Sequence, residues 1–232
     1  MRGIFVTGTN TGVGKTAIAA GLAWALSKRK IDVGVMKPFA TANRVFSRKY
    51  RSQDTAILAK ASGAKDSDSN LNPFFYSIAA SPLTAAELRY GPPVDIEKAL
   101  QDLRSLARKH DFLIVEGIGG IMVPLTENEV LASFVKQANL PLVIVSTPNI
   151  GTLNHTLLTV MACEKFRLRI AGIVLNKASK VPNKVEQKTA EIIERFVDIP
   201  VIAEIPFSRG ANYVALGKLL EDNCNLEILL SM

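Results

Sequence analysis

Two lysines, a threonine and two carboxylates carry the chemistry legible in this chain. Lys15 and Thr16 close the stretch Gly8 to Thr16, Gly-Thr-Asn-Thr-Gly-Val-Gly-Lys-Thr, which follows the apolar run Ile4, Phe5, Val6 and leads into a helical pattern from Ala17 to Leu26. A phosphate-binding loop requires that strand, turn and helix context. Its glycines, here Gly12 and Gly14, let successive N–H groups converge on an anion, and the helix adds its positive N-terminal end. Lys15 would meet the outer phosphates of a nucleotide, Thr16 would offer its hydroxyl to Mg²⁺, and the contacts would extend from Gly12 and Val13 to Ala17. The strict pattern places a glycine at position 9, whereas this chain has Thr9 there and its glycine one place earlier, at Gly8.

Mg²⁺ prefers oxygen ligands, one or two carboxylates together with phosphate oxygens and water. Glu116 is a specific candidate because it ends Phe112-Leu113-Ile114-Val115, an apolar run suited to a strand buried on both faces. Gly117, Ile118, Gly119 and Gly120 follow at once, where backbone approaches a ligand or simply turns tightly. Asp54 stands just before the helical run Thr55 to Ala61, a place that suits either a metal ligand or an N-cap. Lys37 closes a strand within Asp32 to Phe39 that Pro38 interrupts. A second ammonium there would face the same anion as Lys15 and stabilise charge on a transferred phosphoryl group. The alternative is a lysine snorkelling from a strand end.

The elements that must position these residues alternate. Strands at Leu142 to Ser146, Ile170 to Leu175 and Val201 to Ile205 are separated by helices at Asn154 to Phe166 and Val185 to Phe196, with a last helix within Tyr213 to Leu220. Helical runs at Leu83 to Arg89 and Ile96 to Lys109 fill the middle, and Ala40 to Gln53 reads as a loop. Such alternation predicts a single α/β domain over residues 1–232, with right-handed crossovers, a mostly parallel sheet and helices on both faces. Ligands of such sheets lie beyond the carboxyl ends of the strands. That gathers Gly8 to Thr16, Lys37, Glu116, the loop Thr147 to Leu153, Asn176 and Pro206 into one cleft. Gly151 precedes a helix that Thr152 or Asn154 would cap, leaving N–H groups suited to a carboxylate.

The 232 residues are 48% hydrophobic with a net charge of +7. The basic residues are scattered and not interleaved with aromatics, against a nucleic-acid partner; the densest group, Arg44, Arg48, Lys49 and Arg51, reads as a solvated loop or an attractor of anions. The two cysteines have no paired spacing, and no segment reads as a leader or membrane span, so the expectation is a reduced, soluble, cytoplasmic protein without membrane association. No Ser/His/Asp or His/Cys constellation is in evidence.

Taken together the blocks resemble the dethiobiotin synthetases, ATP-dependent enzymes of biotin biosynthesis. They run in order from Val6 through Thr16, then Lys37-Pro38, Asp54, Asn72-Pro73, Ser81-Pro82, Val115-Glu116-Gly117, Gly119-Gly120, Pro124-Leu125, Gly151 with Asn154-His155, Asn176 and Glu204-Ile205-Pro206. The resemblance implies a P-loop NTPase-type fold, ATP as co-substrate, Mg²⁺, and 7,8-diaminononanoate and CO₂ or bicarbonate as the other substrates. It implies Lys37 and Lys15 as catalytic groups and Thr16, Asp54 and Glu116 at the metal. It places nucleotide contacts at Gly12 to Ala17, Asp54, Glu116 to Gly119, Asn176 and Pro206-Phe207-Ser208. Substrate contacts fall at Thr11, Lys37, Thr41 and Gly151-Thr152-Leu153-Asn154, the last four reaching the substrate tail of the other subunit in a homodimer. Asn10 stands where the family usually has aspartate, Ile118 where it has a small residue, and Phe39 and Ala42 vary the segment around Thr41. The competing expectations are a cobyrinic acid diamide synthase-like amidotransferase domain and a regulatory or partitioning ATPase.

Overall fold

The computed structural model describes residues 2–176, 179–181, 183–208, 210 and 212–231. Six strands form one parallel sheet: β1 (Gly3–Gly8), β2 (Val33–Met36), β5 (Phe112–Glu116), β6 (Leu142–Ser146), β7 (Ile170–Asn176) and β8 (Val201–Ile205), in the order β2-β5-β1-β6-β7-β8. β1, β2, β5 and β6 are buried along their whole length, as expected of strands with no polar alternation.

The helices are α1 (Lys15–Lys28), α2 (Gln53–Ser62), α3 (Asp68–Leu71), α4 (Pro82–Glu87), α5 (Ile96–Ala107), α6 (Leu131–Ala138), α7 (Thr152–Lys165), α8 (Lys184–Phe196), α9 (Tyr213–Asn223) and α10 (Leu226–Leu230). α1 packs against α2 and α9, while α5 meets α6 and α7 meets α8. Right-handed crossovers put these groups on opposite faces, because the chain steps one way along the sheet from β1 to β2 and the other way from β5 onward. α1 is apolar almost all round, with Ile18 to Ala23 buried consecutively, since it lies between the sheet and α9. No helix among the described residues is long and apolar enough to cross a membrane, and both cysteines are buried and free.

The reversal of direction about β1 opens a crevice at its carboxyl end, where α/β sheets bind ligands. The parallel register then fixes the distant residues: β2 and β5 pair Met36 with Val115, and β1 and β5 pair Val6 with Glu116. Lys37, Glu116 and the phosphate loop therefore emerge side by side.

The structure differs from these expectations in several places, α3 among them. The expected loop from Ala40 begins inside a second sheet, β3 (Phe39–Thr41) paired in parallel with β4 (Phe74–Tyr76). Pro38 ends β2, and the chain resumes extended pairing beyond it. α6 has no local start signal, because it is short and its N-cap, Val130, supplies no side-chain cap. α10 lies beyond the last expected helix and buries Leu226 and Leu229.

Candidate active site

The phosphate loop is shaped by what surrounds its glycines. A Cβ at Gly8 would come within 2.7 Å of Val13 Cγ2 and 3.1 Å of the Lys15 stem, so the glycine at 8 is set by the packing of its own loop. Gly14 sits in the left-handed region at φ 96° as the N-cap of α1, where an L side chain is strained. It also faces Asn176, whose Nδ2 donates to the Val13 carbonyl at 3.0 Å. α1 has neither a side-chain cap nor an acidic residue in its first turn, which leaves its first N–H groups to an anion. Asn10 Oδ1 accepts from the Thr11 N–H at 2.7 Å, and its carbonyl accepts from Lys15 Nζ at 2.9 Å. Asn10 thus shapes this turn.

Beside this loop lies a coupled ion cluster. Lys37 Nζ donates to Glu116 Oε1 at 2.5 Å, to the Gly117 carbonyl at 2.9 Å and pairs with Asp54 Oδ2 at 2.9 Å. All three ammonium protons are engaged. Thr16 Oγ1 donates to the same Glu116 Oε1 at 2.8 Å. Lys37 and Glu116 are buried and Asp54 is half-buried. Burial acts to lower the Lys37 pKa, but Glu116 and then Asp54 more than offset it, and the ammonium is held above its usual value. Burial raises the Glu116 carboxyl, Lys37 opposes that, and Asp54 adds to it, with a net upward shift. Burial would also raise Asp54, yet Lys37 carries it below its usual value. Lys15 is lowered to about 8, first by burial and then by the Lys37 charge. Two ammonium groups in one half-dry site favour an anion between them.

Asp54 is not an N-cap. Ser52 caps α2, accepting from the Thr55 N–H, and so delivers Asp54 from the first turn toward Lys37. Packing requires glycine at 117: a Cβ there would come within 2.9 Å of Phe5 and 3.0 Å of Leu131.

A cavity of about 580 Å³ joins the loop to the cluster and is lined by Lys15, Thr16, Lys37, Asp54 and Glu116. Thr11, Gly12, Gly14, Thr41, Ile118 and Gly119 also line it. Sequence reasoning missed Ala79, Ala80, Ser81 and Val123, which line the same cavity; the Ser81-Pro82 pair is the available signal, since Ser81 caps α4. Among the described residues no group of three His, Cys, Asp or Glu side chains forms a self-sufficient metal site. Thr16, Asp54 and Glu116 form a hard oxygen set, and among the described residues buried Glu116 Oε2 has no hydrogen-bond partner. That orphaned oxygen suits Mg²⁺ held jointly with phosphate.

The remaining expected residues lie elsewhere. Val13 is buried behind the loop, and Ala17 is half-buried in the first turn of α1. Pro206, Phe207 and Ser208 are exposed just past β8, beside β7 through the pairing of Asn176 with Ile205. Thr152 lines a second cavity of about 330 Å³, which shares Thr11 and Gly12 with the first. Neither Thr152 nor Asn154 caps α7: its N-cap is Gly151 at φ 89°, without a side-chain hydrogen bond. Asn154 is exposed and Leu153 half-buried.

A family model described as an AAA domain matches residues 2–212. The ATP-dependent dethiobiotin synthetase BioD of Nitrosopumilus maritimus is 38% identical over 99% of this chain and 100% of its own length. The protein of that name from Bacillus subtilis is 38% identical over 100% of this chain and 98% of its own. This chain belongs to the ATP-dependent dethiobiotin synthetase family. The dethiobiotin synthetase from Thermodesulfovibrio yellowstonii is 31% identical over 99% of both chains. Two solved structures share the fold alone. A ParA family ATPase from Chlorobium tepidum, 20% identical, aligns over 99% of this chain and 94% of its own with a TM-score of 0.54. The septum site-determining protein MinD complexed with Mg-ADP from Pyrococcus horikoshii, 19% identical, aligns over 95% of each chain with a TM-score of 0.53. The P-loop α/β architecture is thus common to these two ATPases and to this family, and the full-length identity is to the dethiobiotin synthetases.

Proposed function

We propose that this chain is an ATP-dependent cyclo-ligase that closes the ureido ring of dethiobiotin from 7,8-diaminononanoate, CO₂ and ATP. One amine of the diamine adds to CO₂ and, losing a proton, becomes a carbamate. A carbamate oxygen attacks the γ-phosphorus of ATP, releasing ADP and giving a mixed carbamic-phosphoric anhydride. The second amine attacks the carbamoyl carbon, the C–O bond to phosphate breaks, and dethiobiotin and inorganic phosphate result after loss of a further proton.

The observation that carries this reading is the placement of Lys15 and Lys37 in the wall of one cavity, on either side of Thr16 and Glu116. Phosphoryl transfer asks little of a protein beyond alignment and fixed positive charge. Lys15 and the uncapped start of α1 serve the triphosphate. Lys37, held by Glu116, Asp54 and the Gly117 carbonyl, serves the carbamate oxygen and the phosphoryl group it acquires. Thr41 stands at the same cavity for the diamine. Mg²⁺, when bound by Thr16, Asp54 and Glu116, would supply charge neutralisation at the phosphates. Because Lys37 and the metal share two carboxylates, the position of each depends on the other.

By the family resemblance, the nucleotide base lies toward Asn176 and Pro206 to Ser208. Two copies of the chain then associate so that segment 151–154 of each meets the substrate tail held by the other, in the cytoplasm and without nucleic acid or membrane. The experiment is phosphate release by the purified protein with Mg²⁺, ATP and bicarbonate. Release that appears only on adding 7,8-diaminononanoate, together with dethiobiotin by mass spectrometry, is the expected result. Release without the diamine, or release stimulated by DNA, would overturn the reading in favour of a switch ATPase.

A further inference from the structure

A knot of hydroxyl groups is packed where the phosphate loop meets α7. Ser146 ends β6, fully buried, and its Oγ lies 2.7 Å from Thr152 Oγ1 and 3.0 Å from Thr156 Oγ1 while accepting from Thr9 Oγ1 at 3.3 Å. A serine hydroxyl has one proton to give and two lone pairs to fill, so three partners saturate it. Thr152 and Thr156 are buried on successive turns of α7. Thr9 opens the phosphate loop, its N–H donating to the Val145 carbonyl at 3.0 Å. Small apolar residues would fill this volume with no polar group to satisfy, whereas a saturated polar node fixes one relative placement of its partners. That placement matters because the loop and the first turn of α7 wall the same 330 Å³ cavity, through Thr9 to Val13 on one side and Thr152 on the other.

We propose that Ser146 is a positioning residue whose hydroxyl couples the phosphate loop to the first turn of α7, so that nucleotide binding and the geometry of the 151–154 segment are set together. The coupling itself needs only nucleotide binding; its consequence for the diamine rests on the function proposed above.

Three isosteric variants test the coupling without turnover. Thr152→Val removes a hydroxyl on α7, outside the cavity that holds Lys15. Titration of a non-hydrolysable ATP analogue with Mg²⁺ should show binding weakened about 3- to 10-fold, the scale of one lost hydrogen bond. Thr9→Val should weaken binding comparably, and the double variant should be far less than multiplicative, because both bonds end on one oxygen. Thr156→Val removes a bond to the same oxygen one turn further on and should leave nucleotide affinity within twofold while lowering thermal stability. Nucleotide affinity within twofold of wild type in Thr152→Val would overturn the proposal. Equal weakening in Thr156→Val would do so too, assigning the effect to general loosening. In turnover, Ser146→Ala should raise KM for both ATP and the diamine about 3- to 10-fold with kcat within threefold; unchanged KM values in a folded variant would overturn it. A wild-type protein that binds the analogue but never consumes the diamine would sink the proposed reaction, and the titrations would still decide the coupling.

Discussion

Replacing Lys37 by methionine keeps an unbranched side chain of most of the length and volume and removes the ammonium. Three contacts go with it, to Glu116 Oε1, Asp54 Oδ2 and the Gly117 carbonyl. Glu116, 1% exposed, keeps the hydrogen bond from Thr16 but loses its cation. Removing one partner of a buried pair costs about 3–5 kcal/mol, so Lys37→Met should remain folded but lose much of its margin in urea. The catalytic effect is separate. A fixed donor aimed at developing charge is worth about 10²–10³ in rate, or roughly 3–4 kcal/mol of transition-state stabilisation. Lys15 and the start of α1 are untouched, so nucleotide binding should stay within about threefold. Single-turnover phosphate release at saturating ATP and diamine, with calorimetric titration of an ATP analogue, separates the two effects. A folded variant whose saturated turnover lies within threefold of wild type would refute the assignment of Lys37 to the transferring group. A variant that fails to bind nucleotide would show that Lys37 acts on the ground state.

Glu116→Gln keeps a hydrogen-bonding side chain without its charge, and should raise the Mg²⁺ concentration for half-maximal turnover by at least tenfold; an unchanged Mg²⁺ dependence would exclude Glu116 as a ligand. Asn176→Ala removes the donor to the Val13 carbonyl beside Gly14, and should weaken ATP binding about 3- to 10-fold, checked by the same titration. His110 bridges Asp32 at 3.0 Å and Asp66 at 2.9 Å; burial acts to lower its pKa, but the two carboxylates together more than offset that and hold it above 6.5. Its contribution to stability is full below the unfolded value and is lost as pH rises through the folded one. Asp66 is lowered despite burial, chiefly by His110, and its contribution is lost as pH falls below its usual 3.8. The urea midpoint of His110→Ala should therefore fall furthest below wild type between about pH 4 and 6.5 and approach it at alkaline pH; a gap that ignores pH would remove His110 as a charged tie.

The chain by itself determined the phosphate loop, the order of the six strands in sequence and the strand ends that face the ligand, because each rests on local pattern: an apolar run, a glycine turn, a helix. It also placed Lys37 and Glu116 at strand ends, which is why both reached the cavity. Full-length likeness to one family was legible for the same reason, as ordered short blocks. What the tertiary structure decided is every contact between blocks. Only the pairing of β2 with β5 sets Lys37 against Glu116 across 79 residues. Only the cap at Ser52 turns Asp54 from a helix-end residue into a third member of that cluster. The β3–β4 pair, the use of Asn176 to brace Val13 and the hydroxyl node at Ser146 have no signature in sequence spacing. They depend on side chains far apart in the chain meeting in a close-packed interior, where volume and hydrogen-bond valence, not periodicity, choose the partner.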